Sequence, residues 1–396
     1  MNSVELFAGA GGLAIGMSNA GFRHVAVIER DADACETFRE NQSHHSHAVE
    51  GWNLEPGDVH KFDYTPLLNQ QVRVVSGGPP CQPFSLGGKH QGYNDDRDLF
   101  PEAVRAVREL RPRAFIFENV KGLLREAFAD YLEYIRLQLN HPDLARQENE
   151  DWQEHRARLE RHHTARGRQG DYNVVLRLLN AADYGVPQRR ERVFLVGFRA
   201  DLGIEWNFPE PTHSEDALLH SQWVTGDYWD IHRVGARARP ALGKRQSERI
   251  QKLRDLLPLD EKAPWRTVRD ACADLPDPVK YPKNGIPNHD HNPGARSYPG
   301  HTGSRLDEPA KTLKAGDHGV PGGENMLARY NGKVRYFTVR EVARLQTFPD
   351  DYVFRGAWTQ AMRQLGNAVP VRLAQAVASS VANTLTAAER RGVATN

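Results

Sequence analysis

The sequence predicts an α/β fold with a doubly wound, Rossmann-like parallel sheet and a second, smaller domain rich in loops. Short apolar runs alternate with helical stretches over the first two hundred residues. Apolar runs of this length are typical of parallel strands that helices cover on both faces. After about Ala200, Pro and Gly become frequent, which favours short elements and loops. The length of 396 residues also favours two domains.

Each predicted element has its own signal in the first half of the chain. The stretches "LAIGMSNAG" and "LFPEAVRAVREL" predict helices between strands. A charged segment with few apolar residues, 140–171, indicates an exposed helical insertion, interpreted either as a solvated surface segment or as a partner-binding arm. The predicted strands are residues 4–9, 24–29, 72–77, 114–119 and 192–198.

Charge and cysteine content exclude several classes of protein. The formal net charge is +1, so any nucleic-acid surface must come from local clustering. Residues 233–254 hold eight Lys or Arg but one acid, which indicates a phosphate-contacting surface or, alternatively, a solvated helix face. No apolar run approaches the roughly 20 residues of a membrane helix, and no secretion signal is visible. Three scattered cysteines without a C-x-x-C pair predict a reducing, cytoplasmic location and no metal site.

A glycine-rich turn follows the first predicted strand. Gly9, Gly11 and Gly12 allow the backbone and helix N-terminal amides to approach a ligand closely. Glu29 ends the second strand, where an acid can accept hydrogen bonds from ribose hydroxyls. The pair predicts a nucleoside-containing cofactor, either a nicotinamide dinucleotide or S-adenosylmethionine. Asp58, after a third element, could accept from the adenine amino group of either.

The stretch "GGPPC" presents Cys81 on a stiff turn just beyond a predicted strand. Ligands of open parallel sheets gather at the carboxyl ends of the strands, where Glu29 and Glu118 are also expected. This position predicts that Cys81 is a nucleophile, although a lone cysteine is more often structural. A thiol with a pKa of about 8.5 needs positive potential nearby. On a strand, Gln188, Arg190 and Arg192 would share one face and supply it, or else would be outward residues of a surface strand.

Six ordered motifs together resemble the C5-cytosine DNA methyltransferase family. They cover residues 4–125, 172–198 and 336–378 in outline, and the region between would correspond to the family's target-recognition domain. The motifs are "FAGAGG" (7–12), "GGPPCQPFS" (77–85), "ENV" (118–120), "QRRER" (188–192), "VREVARLQTFPDDY" (339–352) and "QLGNAVP" (364–370).

The resemblance implies a covalent mechanism. Cys81 would attack C6 of a cytosine flipped out of duplex DNA, and Glu118 would bind N3 and the exocyclic amine. Asn119 would position that loop, while Arg190 and Arg192 would stabilise the activated base. Gly87 and Gly88 would begin a loop that closes over the base. The implied cofactor is S-adenosylmethionine, with contacts from Phe7, Ala8, Gly9, Gly11, Gly12, Leu13, Glu29, Arg30, Asp58, Val59, Pro79, Leu99, Asn367 and Ala368. Asp63 is an alternative to Asp58 as the acid at the adenine.

The resemblance also implies a domain plan and partners. A catalytic and cofactor-binding domain would span residues 1–205 and be completed by residues 355–396. A target-recognition domain with its hinge would span residues 206–354. The expected partner is double-stranded DNA, with no membrane, for a monomer that protects DNA from a restriction endonuclease without forming a stable complex with it. An orphan or phage enzyme would have the same layout.

Three rival functions are weighed against this interpretation. A tRNA cytosine methyltransferase of the same family usually carries a Cys-Phe-Thr signature, which is not found here. A catalytically silent DNA-binding regulator has no chemical reason to keep Cys81, Glu118, Gln188 and Arg192 together. A nicotinamide-dependent oxidoreductase is disfavoured by the G-x-G-G spacing and by the "GNAVP" segment.

Overall fold

The computed structural model describes residues 1–80, 98–167, 169–255, 261–299, 302–315 and 325–392. Cys81, Gly87 and Gly88 lie outside the described residues. The chain forms two compact units, here called unit 1 and unit 2. Unit 1 comprises Met1–Leu179, Glu191–Pro209 and Ala374–Asn396, and unit 2 comprises Asn180–Arg190 and Glu210–Leu373. The assignment of catalysis and target recognition to separate domains stays a prediction.

A seven-stranded sheet forms the centre of unit 1, in the order β3-β2-β1-β4-β5-β7-β6. The strands from β3 to β5 in that order pair in parallel, and β7 pairs antiparallel with β5. The strand order reverses between β1 and β4, so this is the switch point at which such sheets open a ligand crevice. The strands are β1 Asn2–Leu6, β2 Arg23–Glu29, β3 Leu54–Pro56, β4 Val74–Gly77, β5 Ala114–Val120, β6 Tyr172–Asn180 and β7 Glu191–Arg199.

The predicted doubly wound α/β fold is confirmed, and all five predicted strands are present. Their central side chains are buried, as the apolar runs predict. Two strands of this sheet were not predicted. β3 has three residues and includes Pro56, so it lacks a strand-like run, and β6 is only half-buried.

Helices flank this sheet. They are α1 Gly12–Asn19, α2 Ala32–Ser43, α3 Phe100–Leu110, α4 Ala129–Asn140, α5 Trp152–Ala165 and, after unit 2, α12 Val371–Arg390. α12 follows the "GNAVP" segment directly. From Ala374 onward it belongs to unit 1, where Glu389 pairs with Arg113 at 2.7 Å and Ser380 accepts from Trp206 at 3.0 Å.

In the described part of the chain, no helix is both long and apolar enough to cross a membrane.

The charged insertion contains α5, as the sequence predicts, but the helix is not exposed all round. Leu159 is fully buried in the main core of unit 1, and His155 is 1% exposed. His155 bonds the Tyr134 hydroxyl of α4 at 2.8 Å and the Leu144 carbonyl at 2.7 Å. The insertion is therefore a packed layer of unit 1 with a charged outer surface.

Unit 2 consists of short elements and long connections, as its Pro and Gly content predicts. Its described strands have two or three residues each: β8 His213–Ser214, β9 Ala263–Pro264, β10 Ser304–Arg305, β11 Met326–Ala328 and β12 Val334–Tyr336. Its helices are α6 Glu215–His220, α7 Asp227–Ile231, α8 Lys244–Asp255, α9 Val268–Cys272, α10 Val339–Leu345 and α11 Trp358–Asn367. Buried Asp307 links several of these segments, since it binds Arg269 and accepts from the Tyr228 and Tyr330 hydroxyls.

Candidate active site

The glycine turn, residues 7–12, joins β1 to α1 at the switch point of the sheet. Gly9 and Gly11 have φ angles of 54° and 83°, in the left-handed region that favours glycine. A Cβ atom on Gly9 would meet no atom of the described residues within 4 Å, so among them this side of the turn borders open space. Phe7 also has a positive φ, at 54°, an uncommon conformation for a residue with a side chain. The turn thus has the left-handed glycine backbone that the sequence predicts, and its role in ligand binding stays a prediction.

Glu29 lies beside this turn at the end of β2. Its Oε2 accepts from the Gly9 amide at 2.6 Å, and its Oε1 accepts from the Arg30 and Asp31 amides at 2.8 and 2.7 Å. A carboxylate has about four acceptor positions, so three backbone bonds hold its orientation and leave capacity for a ligand hydroxyl. Glu29 is 8% exposed. The predicted pairing of glycine turn and acid is present.

Asp58 follows β3, which pairs with the end of β2. Its side chain accepts from the His60 amide at 3.0 Å and contacts His60 Nδ1 at 2.8 Å, and these hydrogen bonds lower the pKa of Asp58. The Gly57 amide donates to the Glu29 carbonyl at 2.9 Å, which ties this segment to the second strand. Asp63 instead caps the next turn through the Thr65 amide. Val59 is buried, and Arg30 is exposed.

The turn after β4, residues 77–80, leads to Cys81. Gly77 and Gly78 have separate steric reasons to be glycine. A Cβ on Gly77 would lie 2.5 Å from the Leu6 carbonyl oxygen, and one on Gly78 would lie 3.2 Å from Glu118 Oε2. The backbone that precedes Cys81 therefore runs beside β1 on one side and beside the Glu118 carboxylate on the other.

Glu118 and Arg192 form a nearly buried ion pair on the adjacent strands β5 and β7. Arg192 Nε lies 2.7 Å from Glu118 Oε1, and the two side chains are 10% and 8% exposed. Burial lowers the pKa of Arg192, while the Glu118 charge opposes that shift. The guanidinium holds one carboxylate oxygen, and the other faces the turn at Gly78. The structure thus places two predicted catalytic side chains together.

Asn119 fastens this region to the turn after β4. Its Nδ2 donates to the Pro79 carbonyl at 3.0 Å, and its Oδ1 accepts from the Val120 amide at 2.8 Å. The Leu99 amide donates to the Pro80 carbonyl at 3.1 Å, so the chain positions that flank residues 81–97 lie side by side. Pro79 and Leu99, two predicted cofactor contacts, are buried here, as are Ala8, Gly11, Gly12 and Leu13 at the glycine turn.

Gln188 and Arg190 have partners within unit 2. Both are buried, as is Arg192, while Arg189 is exposed. Burial therefore alternates along this segment, as the period-two spacing predicts. The prediction that all three lie on one strand is wrong, because β7 begins at Glu191 and only Arg192 is part of it. Arg190 donates to the Leu313 and Gly366 carbonyls at 2.8 and 2.6 Å, and Gln188 accepts from the Leu313 amide at 3.1 Å. These are structural contacts, and a catalytic role for Arg190 stays a prediction.

Asn367 and Ala368, the last predicted cofactor contacts, lie at the end of α11. The Ala368 amide donates to the Gln364 carbonyl at 3.1 Å.

One feature near the site was not predicted: Glu5 and Ser76 contact each other inside the sheet. An acid in the middle of an apolar strand was its only sequence signal.

The donor set of unit 1 fits a nucleoside with a charged side chain. Open space at Gly9, the oriented Glu29 carboxylate and the N-terminus of α1 are the groups that bind ribose hydroxyls and carboxylate or other anionic groups. Ala8 and Leu13 supply buried apolar surface next to the glycine turn in sequence, and Val59 and Leu99 are also buried. The residues present are therefore consistent with S-adenosylmethionine.

Comparisons with known proteins agree with this chemistry. The chain is 33% identical over 398 residues to the type II methyltransferase M.Eco47II of Escherichia coli, covering 98% of this chain and 80% of that protein. It is 31% identical to M.NgoMIV of Neisseria gonorrhoeae, with 97% of each chain covered. In fold, it is similar to the solved S. pombe Dnmt2 methyltransferase, with a TM-score of 0.54, 16% identity and coverage of 98% and 99%.

A family model describes most of the chain. The model of C-5 cytosine-specific DNA methylases matches residues 1–143 and 163–383, which leaves only the middle of the charged insertion and the last residues outside the match. The chain therefore belongs to the C-5 cytosine-specific DNA methylase family, and it is a DNA cytosine-C5 methyltransferase with S-adenosylmethionine as methyl donor.

Proposed function

We propose that Cys81 is the nucleophile of this reaction, with Glu118 as the acid that shares a proton with the base and Arg192 as the cation that stabilises the activated base. The Cys81 thiolate adds to C6 of the extruded cytosine, and electron density moves through the ring towards C5 and N3. Glu118 binds N3 and the exocyclic amine and shares a proton where that charge develops. C5 then gains the methyl group, a base removes the C5 proton, and the ring expels Cys81 as the double bond re-forms.

The observation that carries this proposal is the Glu118–Arg192 pair beside Gly78. Arg192 orients the carboxylate and compensates its charge, and Asn119 fixes the same strand end to Pro79. Because the orientation of the carboxylate is already fixed, it loses little conformational entropy when a substrate binds. The short link from Gly78 to Cys81 in the chain supports a common site.

S-adenosylmethionine supplies an electrophilic methyl group when it is bound. We infer that Glu29 binds its ribose, that the glycine turn and Leu13 enclose its methionine portion, and that Asp58 and Val59 lie at its adenine. Phe7, Ala8, Arg30, Pro79, Leu99, Asn367 and Ala368 complete the proposed contacts, and Arg190 is proposed to support the activated base.

The biological role that fits best is protection of DNA within a restriction–modification pair. Relatives at 31–33% identity over nearly the whole chain are type II methyltransferases. We propose that this protein acts as a monomer on the same duplex site as a cognate endonuclease, without a stable complex between them.

We propose that unit 2 contacts DNA through a cavity of about 800 Å³. Arg237, Arg239, Arg305, Lys311 and Arg329 line it, against one acid, Glu308. Arg305 and Arg329 have carboxylate partners, Glu308 and Asp277, and Lys311 instead donates to Thr302 Oγ1 at 2.9 Å. The excess positive charge suits phosphate groups. Part of the predicted basic segment therefore supports DNA contact.

The proposed chemistry is tested by trapping the covalent intermediate. Sequencing of methylated bases in DNA from cells that express the protein gives the target site. A duplex with 5-fluorocytosine at that position is expected to form a covalent complex with the protein, because fluorine cannot leave as a proton does. Cys81→Ser is expected to bind the same duplex and cofactor but to give neither the complex nor labelled product from tritiated S-adenosylmethionine.

A Cys35→Ser variant is the matched control, since Cys35 is buried in α2, and it should trap normally. Turnover by Cys81→Ser would remove Cys81 from its role. Label that appears in tRNA but in no DNA would contradict the DNA substrate.

A further inference from the structure

A polar layer lies inside the otherwise apolar sheet of unit 1, on the face of β1 that carries Ser3 and Glu5. Glu5 is 1% exposed and Ser76 is fully buried. The two residues are register partners on the parallel strands β1 and β4, and the Ser76 hydroxyl donates to Glu5 Oε2. Burial of a carboxyl group costs free energy unless the group has a hydrogen-bond partner, so a buried carboxyl in a sheet calls for a specific explanation.

The second part of this layer faces α1. Ser3 is the register partner of His24 on β2, and its hydroxyl lies 3.1 Å from His24 Nδ1. His24 Nε2 lies 2.8 Å from the Ala14 carbonyl of α1, so the ring links the sheet to the helix that follows the glycine turn. The layer therefore has two separate contacts, one between β1 and β4 and one between β1, β2 and α1.

The position of the Glu5–Ser76 contact relates it to the site. Glu5 lies two residues before Phe7 and the glycine turn, and Ser76 lies directly before Gly77 and the turn that leads to Cys81. The two strands meet at the switch point of the sheet, and the Gly77 backbone already packs against the Leu6 carbonyl. A change in the spacing of these strands would displace one turn relative to the other.

We propose that Glu5 is a positioning residue whose bond to Ser76 fixes the spacing between the glycine turn and the turn that precedes Cys81. The link to Cys81 chemistry rests on the proposed function, whereas the link to cofactor binding depends only on the glycine turn. A shift of about 1 Å in such a spacing can reduce turnover by about two orders of magnitude.

The ionisation of Glu5 gives this contact a pH signature. Burial raises the pKa of Glu5 to about 8, an effect that the Ser76 hydrogen bond partly offsets. Of the elements packed around it, α1 and β4 carry no titratable side chain, and burial lowers the pKa of His24 on β2 to about 4. Glu29 lies at the end of β2, outside this layer. Glu5 is thus neutral at pH 7 and becomes the charged member of the layer above pH 8.

The sign of the stability effect follows from proton binding. Between about pH 4.5 and 8, the folded state keeps the Glu5 proton while the unfolded state loses it, so rising pH favours unfolding across that window. Above pH 8 both states are ionised and this dependence ends. The charge then sits between β1 and β4, and separation of the two strands would relieve its burial.

Glu5→Gln tests the proposal because glutamine has the shape of the neutral acid and cannot ionise. We expect wild-type affinity for S-adenosylmethionine and turnover of duplex DNA to decline above pH 8, approaching tenfold per pH unit. Glu5→Gln should keep wild-type values at pH 7 and lose that decline. Its thermal stability relative to wild type should rise from pH 5 to pH 8 and then level off.

Ser76→Ala and Ser3→Ala form a matched pair that remains informative if Glu5→Gln folds poorly. Ser76→Ala removes the bond that lowers the pKa of Glu5, so the decline should move to higher pH and turnover at pH 7 should fall. Ser3→Ala removes the His24 contact only and should leave the decline in place. The same decline in Glu5→Gln, or in Ser76→Ala, as in wild type would overturn the proposal. Cofactor affinity is measured without DNA, so this outcome is independent of the role of Cys81.

Discussion

Two ion pairs lie near the end of β5 and the start of β7 in unit 1, and they differ in how much each contributes to stability. Arg192 and Glu118 are nearly buried, whereas Lys121 and Glu191, also 2.7 Å apart, are 58% and 44% exposed. A buried pair is costly to break because one charge remains without compensation, while an exposed pair contributes little. The Glu118–Arg192 pair is therefore part of the fold of unit 1 as well as of the candidate site.

Replacement of Arg192 by alanine should test this difference. We expect Arg192→Ala to reduce the free energy of unfolding by about 3–5 kcal/mol, because Glu118 would be left buried and unpaired. Lys121→Ala is the control, with an expected loss of about 0–1 kcal/mol. Chemical denaturation of both variants gives the comparison. Equal losses would show that Arg192 does not compensate Glu118 in the fold.

Sequence reasoning at this scale succeeded where a residue's role depends on its own strand. The end of a buried run located Glu118, and period-two spacing grouped Arg192 with Gln188 and Arg190, all three of which are buried. It failed for Arg190, whose acceptors are the Leu313 and Gly366 carbonyls, 123 and 176 residues away. No local pattern reports such partners. Glu5 was missed because its burial depends on the pairing of β1 with β4.

At the scale of elements, α5 shows how an insertion can become part of a core. Residues 144–162 lie outside the family match, yet Leu159 is fully buried against unit 1. The sequence predicted the helix because its charged composition is a local signal, and in the structure Asp151 caps the helix by bonding the Gln153 and Glu154 amides. It could not predict burial from one leucine among charges.

Leu159→Ala should be strongly destabilising if α5 is a core layer. Removing a fully buried leucine costs about 2–5 kcal/mol, depending on how far the cavity collapses. Arg161→Ala, on the exposed side of the same helix, should change stability by no more than about 0.5 kcal/mol. Thermal or denaturant unfolding distinguishes them. A neutral Leu159→Ala would indicate that the insertion is a dispensable surface segment.

For the molecule as a whole, a net charge of +1 means that DNA affinity must come from a few local contacts. The basic segment that the sequence singled out does not act as one surface. Arg249 of α8 pairs with Glu215 and Asp216, each at 2.6 Å, whereas Arg237 lines the cavity of unit 2 with no carboxylate partner among the described residues. Of these two arginines, Arg237 is the one available to phosphate.

Salt dependence of DNA binding separates these two arginines. Each phosphate contact contributes a slope of about 0.9 to the dependence of log affinity on log salt concentration. Arg237→Gln and Lys311→Gln should each reduce the slope by about that amount, and Arg249→Gln should not. Cofactor affinity should be unchanged in all three. Normal slopes for Arg237→Gln and Lys311→Gln, in protein that still methylates DNA, would exclude the cavity as the phosphate surface.

The division of unit 1 into three chain segments has a consequence for its synthesis. Its last segment, in α12, follows all of unit 2, and the Arg113–Glu389 pair spans 276 residues. The apolar side chains of α12 at 374, 377, 378, 381 and 385 are buried only once the ribosome has made nearly the whole chain. Contacts between distant segments slow folding, and a nascent sheet without its covering helix exposes apolar surface. Expression yield should therefore depend on chaperones that cover this apolar surface until α12 has been made.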